Sequence, residues 1–202
     1  MEEFIDIKDV KQVLSHAMEV FYAHPKIKRS IDKQHIQNSP NRIANSMFEL
    51  FKGCWEDPET YLDATFTDDN YDEIIYVNDV AFVSTCAHHN LPFFGKMHFG
   101  YLPNKKIVGL SKIPRLMQAF AHRPQVQEKL TYEIVDTFDH KLSPHGCGLV
   151  IEAYHLCMMI RGIESKQSYT KTTQLRGNFK SRSSTKQEFL GGIRKTTDHI
   201  WP

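Results

Sequence analysis

Two short stretches of this sequence hold thiols and imidazoles at spacings suited to a metal. In Ser84-Thr85-Cys86-Ala87-His88-His89-Asn90 a cysteine and a histidine stand three residues apart, and in His155-Leu156-Cys157 they stand two apart. A C-x-x-H pair at a strand end suits tetrahedral zinc. In a regular strand His88 and His89 would face opposite ways, so one of them is expected to be free for other work. Read with period two, residues 147–157 put His155 and Cys157 on one strand face. Cys147 shares that face but is about 33 Å away along the strand, and is assigned to the core. Cys86, His89 and Cys157 would make a two-sulfur, one-nitrogen centre with its fourth position open to water, the catalytic pattern of zinc. Such a centre brings the pKa of its water to about 7. Buried thiols and hydrogen-bonded core histidines would show the same spacing, which alone does not choose.

A second group suits an anion. Ser111, Lys112 and Arg115 fall at the start of a predicted helix, where two cations and free backbone N–H groups make a phosphate site. A solvated helix end would carry similar residues. Gln127 and Glu128, early in the next helix, offer an amide and a carboxylate to the edge of a purine, although a first-turn acid is also common for dipole reasons. Arg161, near the end of the Cys157 strand, is either a ligand or an ordinary surface cation.

The elements that must carry these groups follow from periodicity. Apolar residues at three- and four-residue steps predict a helix over 7–23, and Ser39-Pro40 is read as the N-cap and first residue of another that stops at Gly53. Residues 54–73 read as an acidic loop, with Cys54 a small residue at a helix end. Strands are expected near 74–86 and 93–102, with a short one ending near 110. Helices are then expected from Ser111 to about His122 and from Pro124 onward. Strands follow near 147–161 and 168–179, and Thr185-Lys186-Gln187-Glu188 reads as a capping box opening a last helix. This order implies an α+β protein with helices covering one face of a largely antiparallel sheet. Residues 1–72 form an N-terminal helical region and acidic connector, and residues 73–202 the catalytic domain.

Composition narrows the classes. The 202 residues are 41% hydrophobic and 24% charged, ordinary for a folded protein rather than a disordered one. Lys plus Arg (25) nearly cancel Asp plus Glu (24), so no overall field favours nucleic acid or an anionic membrane. The acidic N-terminus lacks the pattern of a secretory signal and no apolar run approaches a membrane span, so a cytoplasmic location is expected. Four cysteines in that setting read as thiols or ligands, not as a disulfide framework.

Taken together, the motifs resemble those of GTP cyclohydrolase I, over about residues 39–190. The carriers are Ser84-Thr85-Cys86-x-His88-His89, Gly109-Leu110-Ser111-Lys112, Arg123-Pro124-Gln125-Val126-Gln127-Glu128-Lys129-Leu130-Thr131, and His155-x-Cys157 with Arg161-Gly162. The resemblance implies a T-fold, Zn2+ held by Cys86, His89 and Cys157, and GTP as substrate. It implies proton transfer by His88 and His155, guanine contacts from Glu128 and Gln127, triphosphate contacts from Lys112, Arg115 and Arg161, and Ser111 near the ribose and assisting its rearrangement. It also implies a homo-oligomer, usually a toroidal decamer with sites between subunits. Two departures stand out: Ala87 replaces the family's usual acidic residue, and residues 164–176 carry Lys166, Tyr169, Lys171 and Arg176 in place of a Thr-rich pattern. A nucleobase deaminase would need H-x-E with P-C-x-x-C, which is missing. A nitrile reductase of the same fold would need a dinucleotide-binding G-x-G-x-x-G, also missing, and Cys86 is better used as a ligand. A non-catalytic, zinc-stabilised nucleotide-binding assembly protein is the remaining alternative, and it would need neither His88 nor His155.

Overall fold

The computed structural model describes residues 6–67 and 70–193. Its chain divides into two compact units, Met1–Phe51 and Lys52–Pro202. Among its described residues the first holds four helices: α1 (Ile7–Ala23), α2 (Pro25–Ser30), α3 (Lys33–Ile36) and α4 (Ser39–Leu50). Asp6 caps α1 by accepting the Lys8 N–H at 2.9 Å. Ser15 Oγ donates to Asn41 Oδ1 at 3.0 Å, and the Lys11 ammonium sits 5.1 Å from the centre of the Phe48 ring, so α1 and α4 are joined by polar as well as apolar contacts. The expected Ser39 cap shifts by one residue. Asn38 holds the cap position and Ser39 is already helical, because Gln37 before it keeps helical backbone angles.

The second unit opens with two 3₁₀ turns, Lys52–Trp55 and Pro58–Leu62, and continues through β1 (Thr65–Thr67), β2 (Ile75–Cys86), β3 (Pro92–Leu102), β4 (Lys106–Val108), α5 (Lys112–Ala121), β5 (Pro124–Gln125) and α6 (Gln127–Leu142). Then follow β6 (Gly146–His155), α7 (Leu156–Met159), β7 (Thr170–Gly177), α8 (Asn178–Ser181) and α9 (Ser183–Gly192). One sheet runs β5-β2-β3-β6-β7, antiparallel throughout except that β5 lies parallel to β2; β1 and β4 form a separate ribbon. The class is α+β, as expected.

Period-two alternation decides what each face buries. Phe93, Met97, Phe99 and Tyr101 of β3 join Leu149 and Ile151 of β6 in one core with α5 and α6. The intervening residues face the other way, and there α8 and α9 cover part of the second face. Gly100 and Gly148 are register partners on that face. A methyl group on either would come within 2.8 or 3.0 Å of the Phe189 ring. The glycine pair therefore makes the seat that Phe189, itself 4.8 Å from Phe179 ring to ring, fills.

Three boundaries also differ from expectation. Pro124 opens no helix; with Gln125 it forms a two-residue strand beside Thr85 and Cys86, and α6 begins at Gln127. β6 ends at His155, so Cys157 lies on the helical turn α7 and not on the strand. No capping box forms at Thr185, because α9 starts at Ser183, with Arg182 as its cap and no side-chain cap bond.

Candidate active site

The turn between β2 and β3 builds the first half of the site. Cys86 ends the inward row Phe82-Ser84-Cys86 of β2. Its N–H donates to Leu91 O at 2.9 Å, while its own carbonyl accepts from Asn90 N–H at 2.9 Å and His89 N–H at 3.3 Å. Closing so tight a turn needs a residue with positive φ, and Asn90 supplies it at 52°; asparagine is among the few side chains that tolerate this region. The backbone here is a turn, so His88 and His89 do not point to opposite faces. Both rings approach the same thiol, with Nδ1 atoms 4.0 and 3.8 Å from Cys86 Sγ.

Cys157 arrives from α7, two residues beyond the end of β6. One donor atom from each of Cys86, His89 and Cys157 lies within 4.8 Å of the others. Around a tetrahedral zinc with bonds of about 2.3 Å to sulfur and about 2.05 Å to nitrogen, sulfur–sulfur and sulfur–nitrogen edges are about 3.8 and 3.6 Å. The Cys86–His89 separation of 3.8 Å already fits such an edge. Burial pushes the Cys157 thiol up, and Cys86 beside it pushes further, with Arg161 opposing weakly. A Cys157 thiol held protonated beside a second sulfur is what a divalent cation would relieve, so the donor set fits zinc.

His155 is the next group along. It ends β6 opposite Phe93 of β3, and the two rings stack at 4.7 Å with an interplanar angle of 4°. Its Nε2 lies 2.7 Å from Gln127 Oε1. Burial pulls its pKa below the ordinary histidine value, partly countered by the Glu128 carboxylate, so the ring is neutral near pH 7. Cys86, His89, Glu128, His155 and Cys157 all line one cavity of about 190 Å³.

Gln127 borders the same cavity but is 2% exposed, with its amide bound to three acceptors and to His155. Arg123, part of the motif just before it, ties the 3₁₀ segment down: Nε donates to Gly53 O at 2.8 Å, an outer nitrogen donates to Glu56 O at 3.2 Å, and the guanidinium lies over Phe120. Phe93 and the threonines behind Gln127 were not singled out from the sequence, since no local spacing marks residues that meet only through strand register.

Ser111, Lys112 and Arg115 lie elsewhere. Gln118 of α5 donates to Ala81 O at 2.8 Å, five strand residues, or about 17 Å, from Cys86. The C-terminal end of α5 leads to β5 beside Cys86, so its N-terminal residues point away from the metal donors. Arg115 instead borders a separate cavity of about 320 Å³ with Lys52, Tyr61 and His122. Ser111 stands at the α5 cap position with no side-chain cap bond, leaving its hydroxyl uncommitted there.

Two thiols and an imidazole close enough to hold one metal ion, in a cavity also lined by a histidine and a carboxylate, are the groups that a metal-assisted hydrolase needs. The family model described as GTP cyclohydrolase I matches residues 18–194, and the chain belongs to that family. It is 45% identical over 159 residues to the GTP cyclohydrolase 1 of Chlorobaculum tepidum, covering 79% of this chain and 71% of that protein. It is 39% identical over 194 residues to that of Parabacteroides distasonis, covering 93% and 98%. Among solved structures, the archaeosine synthase QueF-Like in the apo form aligns at 9% identity with a TM-score of 0.43, over 55% of this chain and 97% of that one. Within the family, the antiparallel sheet with α5 and α6 across one face is the T-fold that the motifs implied. No described helix is long and apolar enough to cross a membrane.

Proposed function

We propose that the chain works as a GTP cyclohydrolase I, opening the imidazole ring of GTP, releasing formate and rearranging the remainder to 7,8-dihydroneopterin triphosphate. The observation that carries this reading is the shared cavity, which sets a base-reading carboxylate and a neutral histidine beside the Cys86, His89 and Cys157 donors. Those three residues would hold zinc, whose Lewis acidity supplies an activated water near neutral pH. Glu128 faces the cavity and accepts from the N1–H and 2-amino groups of guanine. His155, stacked on Phe93, exchanges a proton with the purine at N7. His88, exposed beside the donors, serves proton transfer while the ribose opens and rearranges, assisted by a Ser111 that a neighbouring copy supplies.

At about 190 Å³ the cavity is smaller than the roughly 300–1,000 Å³ of pockets that enclose drug-sized ligands. It takes the base and leaves the triphosphate outside. Arg161, close enough to influence Cys157, meets the phosphates from the same chain. Ser111, Lys112 and Arg115 are too far along α5 to do so and act on a site in a neighbouring copy, which makes the active unit an oligomer. Co-assembling His155→Ala subunits with Arg115→Ala subunits is therefore expected to restore part of the activity that each lacks alone. No recovery on mixing would place the whole site within one chain.

The direct test incubates zinc-loaded protein with GTP and assays formate and, after oxidation, pterin fluorescence. Failure to form either product would overturn the reading in favour of a non-catalytic assembly protein. Base selectivity is tested with Glu128→Gln. ATP offers neither guanine donor and would leave the carboxylate unpaired, at about 1–3 kcal/mol or more, so wild type should prefer GTP by roughly tenfold or better. Glu128→Gln should lose much of that preference and of GTP turnover while triphosphate binding persists. Unchanged turnover and selectivity would leave Glu128 as a helix-end residue.

A further inference from the structure

The strongest unassigned feature is the hydrogen-bond ring behind His155. Gln127 Nε2 lies 3.2 Å from Ile151 O, 3.1 Å from Thr170 O and 3.1 Å from Thr172 Oγ1. Two of these are backbone carbonyls, which only accept, so the amide nitrogen must face them. A flipped amide would set oxygen against oxygen. The Gln127 oxygen is thereby fixed toward His155 Nε2, 2.7 Å away. An amide oxygen has no proton to give, so Nε2 carries the hydrogen whatever the charge of the ring, and Nδ1 is the nitrogen left for exchange.

The rest of the ring locks this arrangement. Thr131 Oγ1 donates to Gln127 O at 2.7 Å and lies 2.6 Å from Thr172 Oγ1. With the Thr131 hydrogen spent on that carbonyl, Thr172 donates to Thr131 and shares with the two carbonyls the two hydrogens of the Gln127 amide. The chain of donors thus starts on the Gln127 side chain and returns to the Gln127 backbone, each hydroxyl both giving and accepting. Gln127 and Thr131 are each 2% exposed, so water does not compete for these bonds.

We propose that Gln127 is a positioning residue, holding His155 as the Nε2–H tautomer so that only Nδ1 can take a proton from the attacking water and pass it on to the substrate. This rests on the cyclohydrolase reading and reassigns Gln127 from the guanine edge, where its amide has no free donor. Two constraints set the His155 ring: Phe93 fixes its plane, and Gln127 fixes which nitrogen faces the cavity chemistry.

The test combines nitrogen NMR of histidine-labelled, zinc-loaded protein with steady-state kinetics, His155 being assigned by its absence from the His155→Ala spectrum. Wild type should show a protonated, pyrrole-type Nε2 and a pyridine-type Nδ1. Gln127→Leu removes the acceptor; the tautomers should mix, and kcat should fall by about 10–100-fold, as for other outer partners of functional histidines, with KM for GTP nearly unchanged. Gln127→Glu keeps an oxygen facing Nε2. Buried between two carbonyls, that carboxyl is expected to stay protonated and donate to one of them. It should retain the Nε2–H tautomer and most of kcat, and with the wild-type spectrum it decides the matter if Gln127→Leu does not fold. A wild-type Nδ1–H tautomer, or a Gln127→Leu variant with raised KM and normal kcat, would overturn the proposal. If wild type releases no formate, the cyclohydrolase reading falls while the NMR arm still decides what Gln127 does.

Discussion

Cys157→Ser is expected to purify with far less than one zinc per subunit and to release almost no formate from GTP, whereas Cys147→Ser keeps both metal and activity. A serine hydroxyl stays protonated at neutral pH and is a poor ligand, so the variant retains two of three protein donors. The loss should exceed the roughly 10–100-fold that follows from disturbing an outer partner of a metal site. Binding must also displace protons, because burial and Cys86 hold the Cys157 thiol protonated in the metal-free site. Zinc affinity should therefore fall as pH is lowered. Cys147 provides the contrast. It is fully buried, its thiol is driven far up by burial, and its sulfur lies 4.0 Å from Val135 O and Asp139 Oδ1, partners that a hydroxyl can also use. Metal analysis of the two variants decides the point: full zinc with unchanged affinity in Cys157→Ser would remove that residue from the site.

The main sheet and the long helices were readable from the local texture of each segment. β2 and β3 are runs of β-branched and aromatic residues, and α6 repeats apolar residues at three- and four-residue steps. What the sequence hid were places where local preference supports two structures equally. Leu156-Cys157-Met158-Met159 is as apolar as the strand before it, so its helical turn looked like more strand. Pro124 suits a helix start but is also at home beside a parallel edge that asks for no N–H from it. The helices on the second face depend on Gly100 and Gly148, which become one seat for Phe189 only when β3 and β6 pair. The candidate site divides in the same way. Cys86 and His89 share one turn and His155 and Cys157 are near neighbours, so spacing picked out the candidate donors, while the proton-transfer roles came only with the resemblance to the family. The role of Gln127 was not readable, since a first-turn glutamine looks the same whether its amide meets a ligand or closes a buried ring with Thr131 and Thr172. Nor could spacing reveal that Ser111, Lys112 and Arg115 are carried away from Cys86 by the direction of α5.

His155→Ala is expected to keep zinc and fold yet release formate about 10²–10⁴-fold more slowly, the range for loss of a general acid–base group. The residue lies two positions from Cys157 and lines the same cavity, but its Nε2 is committed to Gln127 and it is outside the Cys86, His89 and Cys157 donor cluster. Removing the ring also removes the stack on Phe93 and leaves Gln127 Oε1 without its donor, which should cost about 1–3 kcal/mol in stability. That loss is too small to unfold a chain of ordinary stability, so zinc content and thermal melting separate the chemical from the structural effect. The kinetic form of the defect is specific as well. Glu128 and the phosphate-binding cations remain, so GTP should still bind, and the decrease should fall on kcat and not on KM. A His155→Ala enzyme that releases formate at a near-normal rate would mean that another group, with His88 the nearest candidate, protonates the purine.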